Sequence, residues 1–318
     1  MKSIIGFAER IPLSAPSPVV SFSPVVLPAA GRAVDLQLRV SAPLNGADLP
    51  VILLSHGHGR SNHLSSLHGY APLANFWAAH GFVVVQPTHL SSKTLSLDGP
   101  DAPLFWRSRV ADMSRIIDEL DAIQAATPLL AGRIDVTRIA VAGHSMGGHT
   151  ASMLLGMRLV DPESGAEVSV QEPRIKAGVL LAAPGSGGAD LSAAAAEHYA
   201  FFSRPSFAQM STPALIVVGD ADVSPHLTVR GADWHADAYR LSPGPKSLLT
   251  LFGGEHGLGG VSGYDVAETT DENPERVAVV QRITLAYLRT ALTIDDTAWP
   301  SAVDVMEHAG APGRVESK

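Results

Sequence analysis

The chain has 318 residues, no cysteine, 46% apolar and 17% charged residues, and 23 Lys plus Arg against 31 Asp plus Glu, a formal charge of −8. Without cysteine there is no disulfide framework, thiolate metal site, iron–sulfur cluster or cysteine nucleophile. So apolar and weakly charged a chain must bury a sizeable core, and an acidic balance with no basic tract excludes nucleic acid as an expected partner.

The chain begins Met1-Lys2-Ser3-Ile4-Ile5, but Glu9 and Arg10 interrupt before an apolar segment develops. A secretory leader is therefore not expected. The longest compact apolar run, Ala177–Ala183, is far below the ~18 residues of a membrane span. The expected compartment is the cytoplasm, and the alternative is a secreted form whose leader has been removed. Oligomeric state is left open.

Two β-like segments follow, Val19–Leu27 and Ala33–Val40, parted by Pro28 and Gly31. In the second, Val34, Leu36, Leu38 and Val40 alternate with Asp35, Gln37 and Arg39, the pattern of a half-exposed strand near a sheet edge. Val51–Leu54, Phe82–Val85, Ile139–Ala142, Val179–Ala182, Leu215–Val218 and Leu248–Leu251 are short, continuously apolar and rich in β-branched residues. Strands buried on both faces of a parallel sheet have this composition. Helical spacing falls between them: Leu73–His80 before Gly81, Trp106–Ala126 before Pro128, Met146–Leu159, and Pro274–Leu292 after an Asn273 N-cap. Strands alternating with helices predict an α/β fold, a mostly parallel doubly wound sheet with antiparallel strands at the N-terminus. A single domain over 1–318 is expected, with edge strands in 1–48, a short flap at 184–212 and a loosely attached polar tail at 295–318.

The chemistry-bearing motifs sit where strands end. Ile139–Ala142 runs into Gly143-His144-Ser145-Met146-Gly147-Gly148 and then a helix, which is G-x-S-x-G in strand–turn–helix context. A serine hydroxyl is a weak nucleophile and must stand clear of the sheet for a base to reach it. The small residues Gly143 and Gly147 leave room for so sharp a turn. Ser55-His56-Gly57-His58-Gly59 follows the first buried strand, and the main-chain N–H groups of His58 and Met146 are the expected oxyanion donors. His56-x-His58 with His63 and His68 nearby raises a metal site as the competing reading; Arg60 beside a dication disfavours it. The base should be His256, in Gly253-Gly254-Glu255-His256-Gly257. The acid should lie in Gly219-Asp220-Ala221-Asp222-Val223-Ser224-Pro225, with Asp222 favoured and Asp220 the alternative. Both segments follow predicted strands, so Ser145, Asp222 and His256 should emerge along one edge.

With the H-G-x-G loop and the G-H-S-M-G-G elbow in place, the chain resembles the α/β-hydrolase superfamily over roughly Val51 to Leu292. It is most similar to the branch of platelet-activating-factor acetylhydrolases, chlorophyllases, bacterial polyester hydrolases and dienelactone-hydrolase-like esterases. The resemblance implies a serine carboxylic-ester hydrolase working through an acyl-serine, with no cofactor and no metal. Its substrate would be a small-molecule, lipid or polymeric ester. True dienelactone hydrolases use a cysteine nucleophile, which this chain lacks. Trp106, Phe201, Phe202 and Leu258 are candidate pocket residues, with core packing as the competing role of each. The insert His89–Phe105 is expected to wall the pocket. A lipase, thioesterase or peptidase with the same triad, and a non-catalytic binding protein, are the rival functions.

Overall fold

Two strand sets build the described part of the chain, a wide main sheet and a small ribbon. The computed structural model describes residues 3–99 and 101–318; Met1 and Lys2 of the N-terminal segment and Pro100 of the His89–Phe105 insert lie outside the described residues. In chain order the strands are β1 (Val19–Leu27), β2 (Leu36–Pro43), β3 (Leu49–Ser55), β4 (Val83–Pro87), β5 (Ile134–His144), β6 (Arg158–Val160), β7 (Glu167–Val168), β8 (Ile175–Leu181), β9 (Pro205–Ser206), β10 (Ala214–Gly219), β11 (Lys246–Leu251) and β12 (Gly313–Ser317). The main sheet has the order β1-β2-β4-β3-β5-β8-β10-β11-β12, and β7-β6-β9 form the ribbon.

From β4 to β11 the main sheet is parallel. β1 and β2 join antiparallel at one edge and β12 at the other. The continuous apolar runs explain this arrangement, because alternate residues of one strand feed two cores. Val51, Leu53 and Val141 pack towards Met113 and Ile116 on one face. Ile52, Leu54 and Ala140 pack towards Leu73, Trp77 and Ile283 on the other. Each such Val, Leu or Ile side chain contributes roughly 1.5–3 kcal/mol on burial.

The helices are α1 (Ala71–Ala79), α2 (Trp106–Asp118), α3 (Leu120–Ala126), α4 (Met146–Leu154), α5 (Ala193–His198), α6 (Asp237–Leu241), α7 (Pro274–Leu292) and α8 (Ala298–Met306). α7 starts as its sequence predicts, with the Asn273 side chain accepting from the Arg276 N–H at 2.9 Å. Three expectations need correction. The Trp106–Ala126 helix is broken at Glu119 (φ −104°, ψ 19°), and α3 turns beside β1. The elbow helix stops at Leu154 rather than Leu159, because Gly156 turns at φ +111° and Arg158–Val160 pairs as a strand. The segment 295–318 is no loose tail. It supplies α8 and the edge strand β12, and Trp299 packs edge-on to Tyr287 at 5.2 Å. Main-chain pairing of β12, the buried Ala302 and Met306, and the Arg289–Asp296 pair also hold it, contacts whose partners lie in other segments and which no local period of the sequence displays.

Candidate active site

β5 carries the chain to His144, and α4 begins at Met146. Between them Ser145 sits at φ 54°, ψ −120°, a region that costs a non-glycine residue strain energy. The flanking glycines are steric necessities. A Cβ at Gly143 would lie 2.1 Å from the Gly147 carbonyl oxygen, and one at Gly147 would lie 2.0 Å from that of Ser55. The Ser145 N–H donates to Leu181 O of β8 at 2.9 Å, which pins the turn to the sheet.

Because β5, β8, β10 and β11 are parallel neighbours, their carboxyl ends share one edge. The Ser145 hydroxyl donates to His256 Nε2 at 2.9 Å, and His256 Nδ1–H donates to Asp222 Oδ2 at 3.0 Å. The Asp222 side chain is buried, whereas that of His256 is 33% exposed. Burial opposes the charge on Asp222, but hydrogen bonds and charges from His235 and His256 outweigh it and hold the carboxyl well below its usual range. Asp220 points elsewhere and accepts from the Gly253 N–H at 2.7 Å. Of the two aspartates, Asp222 is therefore the one against His256. Asp190 and Asp233 both pair with Arg230.

The sequence did not flag His235. Its Nε2 lies 3.2 Å from the same Asp222 oxygen, and its Nδ1 lies 2.9 Å from Ala183 O. No local pattern in Ala232-Asp233-Trp234-His235 announces this; the fold brings it from a separate loop.

The loop after β3 is gripped from below by Arg109, a fully buried side chain of α2. Arg109 Nη1 donates to His56 O at 2.8 Å and Nη2 to Gly57 O at 3.2 Å, while His56 Nδ1–H donates to Gly57 O at 2.7 Å. A trans peptide is planar, so fixing the Gly57 carbonyl towards Arg109 turns the His58 N–H the opposite way. Among the described residues, neither that N–H nor that of Met146 donates to a protein acceptor. Burial lowers the Arg109 guanidinium to about 9, so it remains a cation at neutral pH. Beneath the loop the Ser55 hydroxyl donates to His89 Nε2 at 2.9 Å, His89 Nδ1–H donates to Asp112 Oδ2 at 2.9 Å, and Arg32 pairs with Asp112.

The four histidines that suggested a metal do not converge. Both ring nitrogens of His56 are engaged, Nδ1 by Gly57 O and Nε2 by the His89 N–H at 3.2 Å. His63 and His68 line an open groove of about 760 Å³ with Arg39, Asn75 and Tyr264. Among the described residues, the group with ligand-type atoms within 4.8 Å of one another is Asp222, His235 and His256, and these bond to each other.

The comparisons agree with this architecture. Residues 51–311 match the model of the alpha/beta hydrolase family. The chain belongs to that family. It is also 28% identical over 117 residues to Chlorophyllase-2 of Arabidopsis thaliana, a stretch that makes up 36% of this chain and 32% of that protein. The match thus spans about a third of that relative's length.

In this alpha/beta hydrolase the candidate pocket residues separate into two groups. Trp106, Phe201 and Phe202 share one apolar cluster with Met146, and Trp106 stacks on Phe201 at 5.8 Å. They pack beside α4, with Phe201 and Phe202 coming from the 184–212 segment and Trp106 from α2. Leu258 belongs to the cluster on the opposite sheet face and is fully buried. It is not brought to these aromatics, because it packs among the side chains of the other sheet face, including Leu251 and Val261. His149, one helical turn past Ser145, packs edge-on against Phe201 and Phe202. Burial lowers it to about 3, so it is a neutral ring. Among the described residues, no helix is long and apolar enough to cross a membrane.

Proposed function

We propose that this alpha/beta hydrolase is a serine carboxylic-ester hydrolase acting on hydrophobic esters, whether small molecules, lipids or polymers. One observation carries the proposal: the unbroken chain from the Ser145 hydroxyl through His256 to the buried Asp222, with the main-chain N–H groups of His58 and Met146 left without a protein acceptor among the described residues. Ser145 Oγ attacks the ester carbonyl carbon while His256 Nε2 takes the hydroxyl proton. The oxyanion accepts from the N–H groups of His58 and Met146. Collapse breaks the bond to the alcohol oxygen, which leaves with the proton held by His256. Water then gives a proton to His256 as it attacks the acyl-serine; collapse breaks the bond to Ser145 Oγ, which takes that proton back from His256 Nε2, and the acid leaves. Asp222 keeps Nδ1 protonated and offsets the imidazolium charge throughout. No bound group has to supply any of these steps.

The aromatic wall of Trp106, Phe201 and Phe202 favours an apolar acyl or alcohol group. We take the chain as one domain, with 184–212 as a short flap that supplies Phe201 and Phe202. The stretch similar to Chlorophyllase-2 supports hydrolysis within this family. The test is fluorophosphonate labelling of Ser145, with turnover of p-nitrophenyl esters of graded acyl length and of matched thioesters and amides. A protein that labels at Ser145 and prefers esters fits the proposal. Turnover retained in Ser145→Ala overturns it, and absence of labelling would leave a binding protein instead.

A further inference from the structure

His144, the variable residue of the G-x-S-x-G turn, makes no contact with substrate in the mechanism above, yet its ring is buried and both nitrogens are engaged. The Gly57 N–H donates to Tyr70 Oη at 3.0 Å. Tyr70 Oη and His144 Nδ1 are 2.8 Å apart, and His144 Nε2 is 2.7 Å from the main-chain carbonyl of His256. Hydrogen directions follow without ambiguity. A carbonyl can only accept, so His144 carries its proton on Nε2 and Nδ1 is the acceptor for the Tyr70 hydroxyl. The phenol oxygen then accepts from Gly57. Every group in the series is matched.

We propose that Tyr70 and His144 act as positioning residues, a strut that sets the oxyanion loop and the base loop at a fixed distance on either side of Ser145. The inference rests on the esterase mechanism proposed above and adds to it the device that holds two of its parts in register.

Three further observations support the strut. A Cβ at Gly57 would lie 2.8 Å from Tyr70 Oη and 3.3 Å from His144 Nδ1, so the strut occupies the space that glycine leaves. Tyr70 holds a left-handed backbone (φ 59°, ψ 18°) at the start of α1, strain that persists only where surroundings over-determine it. The His144 ring also packs 5.0 Å from the ring of His256. Burial raises the Tyr70 hydroxyl and lowers His144 to about 3, so both stay neutral and the proton pattern is constant over the working pH range. With the Gly57 N–H occupied, His58 is left as the loop's donor to substrate. Tyr70 thus helps to select which N–H serves.

The test is steady-state kinetics and fluorophosphonate labelling of Tyr70→Phe, which removes only the hydroxyl. Expected is a fall in kcat on the order of tenfold to a hundredfold, less than loss of an oxyanion donor itself, with KM within about threefold. The labelling rate should fall in parallel. His144→Asn keeps an acceptor near Nδ1 and His144→Gln a donor near Nε2, so each should recover part of what His144→Ala loses. These variants also carry the test if Tyr70→Phe does not fold. Leu73→Ala, a core change in the same helix, should lower the melting temperature without lowering kcat in the folded protein. A kcat of Tyr70→Phe within about twofold of the parent, or no recovery by either amide, overturns the strut. A parent that does not label at Ser145 removes the esterase reading and the strut together, whereas a labelling parent with an unimpaired Tyr70→Phe removes the strut alone.

Discussion

Among the described residues, two hydrogen-bonded Ser–His–Asp chains have nearly equal geometry. In one, Ser145, His256 and Asp222 are joined at 2.9 and 3.0 Å. In the other, Ser55, His89 and Asp112 are joined at 2.9 and 2.9 Å. The distances do not distinguish them, but the surroundings do. Ser145 stands on a strained turn beside two unengaged N–H groups, and His256 is partly exposed. Ser55 and His89 are wholly buried, and the Ser55 oxygen is also faced by Arg109 Nη1 at 3.4 Å. The two acids diverge as well. Asp222 is held far below its usual range, whereas burial pushes Asp112 up to about 6, with Arg32 and Arg109 opposing that rise. A proton relay becomes catalytic only where a substrate can reach the oxygen and charge can develop against preorganised donors. The buried chain instead ties the end of β3, where the loop starts, to His89 and Asp112.

The comparison can be broken most directly at the serines. Ser145→Ala should lower ester turnover by on the order of 10⁴-fold or more. Ser55→Ala should still label at Ser145 while losing about 1–3 kcal/mol of stability through the unpartnered His89 nitrogen. Equal loss of labelling in both would erase the distinction. At the acids, Asp222→Asn should cost roughly 10³–10⁴ in kcat by removing the acceptor for Nδ1–H. Asp112→Asn should instead show its main effect in unfolding, about 3 kcal/mol from the buried Arg32 it leaves unpaired; urea titration measures it.

Arg109→Lys should reduce kcat by about tenfold to a hundredfold, because one ammonium cannot replace a fork that holds two carbonyls. Unchanged kinetics would mean that the Gly57–His58 peptide keeps its orientation unaided.

The pH response is a further test. His56, His89, His144 and His149 are all fully enclosed, and burial lowers each of them. In the unfolded chain they bind protons below about 6.5, so native stability is complete above that pH and falls as the pH drops below it. Each contributes up to about 1.4 kcal/mol per pH unit. Asp112 works in the opposite sense between 3.8 and about 6, whereas Asp222, held well below its usual range, adds to the loss in acid. Unfolding followed by circular dichroism should therefore set in near pH 4–5, given a total stability of roughly 5–15 kcal/mol. A protein still fully folded at pH 3.5 would show that these rings are not held neutral. The smallest expected effect is that of Asp220→Asn, within about threefold in kcat, since Asp220 binds only the Gly253 turn. A larger loss than that of Asp222→Asn would transfer the acid role.

Much of this was legible without coordinates, for identifiable reasons. A buried parallel strand must be apolar along its whole length, so β3, β5, β8, β10 and β11 declare themselves. The elbow declares itself because only glycine fits at 143 and 147. Ser145, Asp222 and His256 can be grouped because each lies just beyond a strand of one parallel sheet, whereas the contacts that set Asp222 against His256 and Asp220 against Gly253 come from the fold. The proposed backbone donors His58 and Met146 are chosen by their place in the loop and the elbow, and the structure leaves both N–H groups without a protein acceptor among the described residues.

What the sequence could not settle depends on contacts between segments far apart in the chain. Arg109 looks like one polar residue on a helix, yet it is buried under a loop more than fifty positions earlier. His235 and His144 look like two among 13 histidines, yet one shares the carboxylate of Asp222 and the other links the loops on either side of Ser145. Leu258, named as a pocket candidate, went to the other face of the sheet, and the polar segment after residue 295 became its last strand. Composition, apolar period and steric punctuation act locally and are written in the chain. Which donor meets which acceptor, and which of two like-built Ser–His–Asp chains opens to solvent, is decided only when the sheet brings the strand ends together.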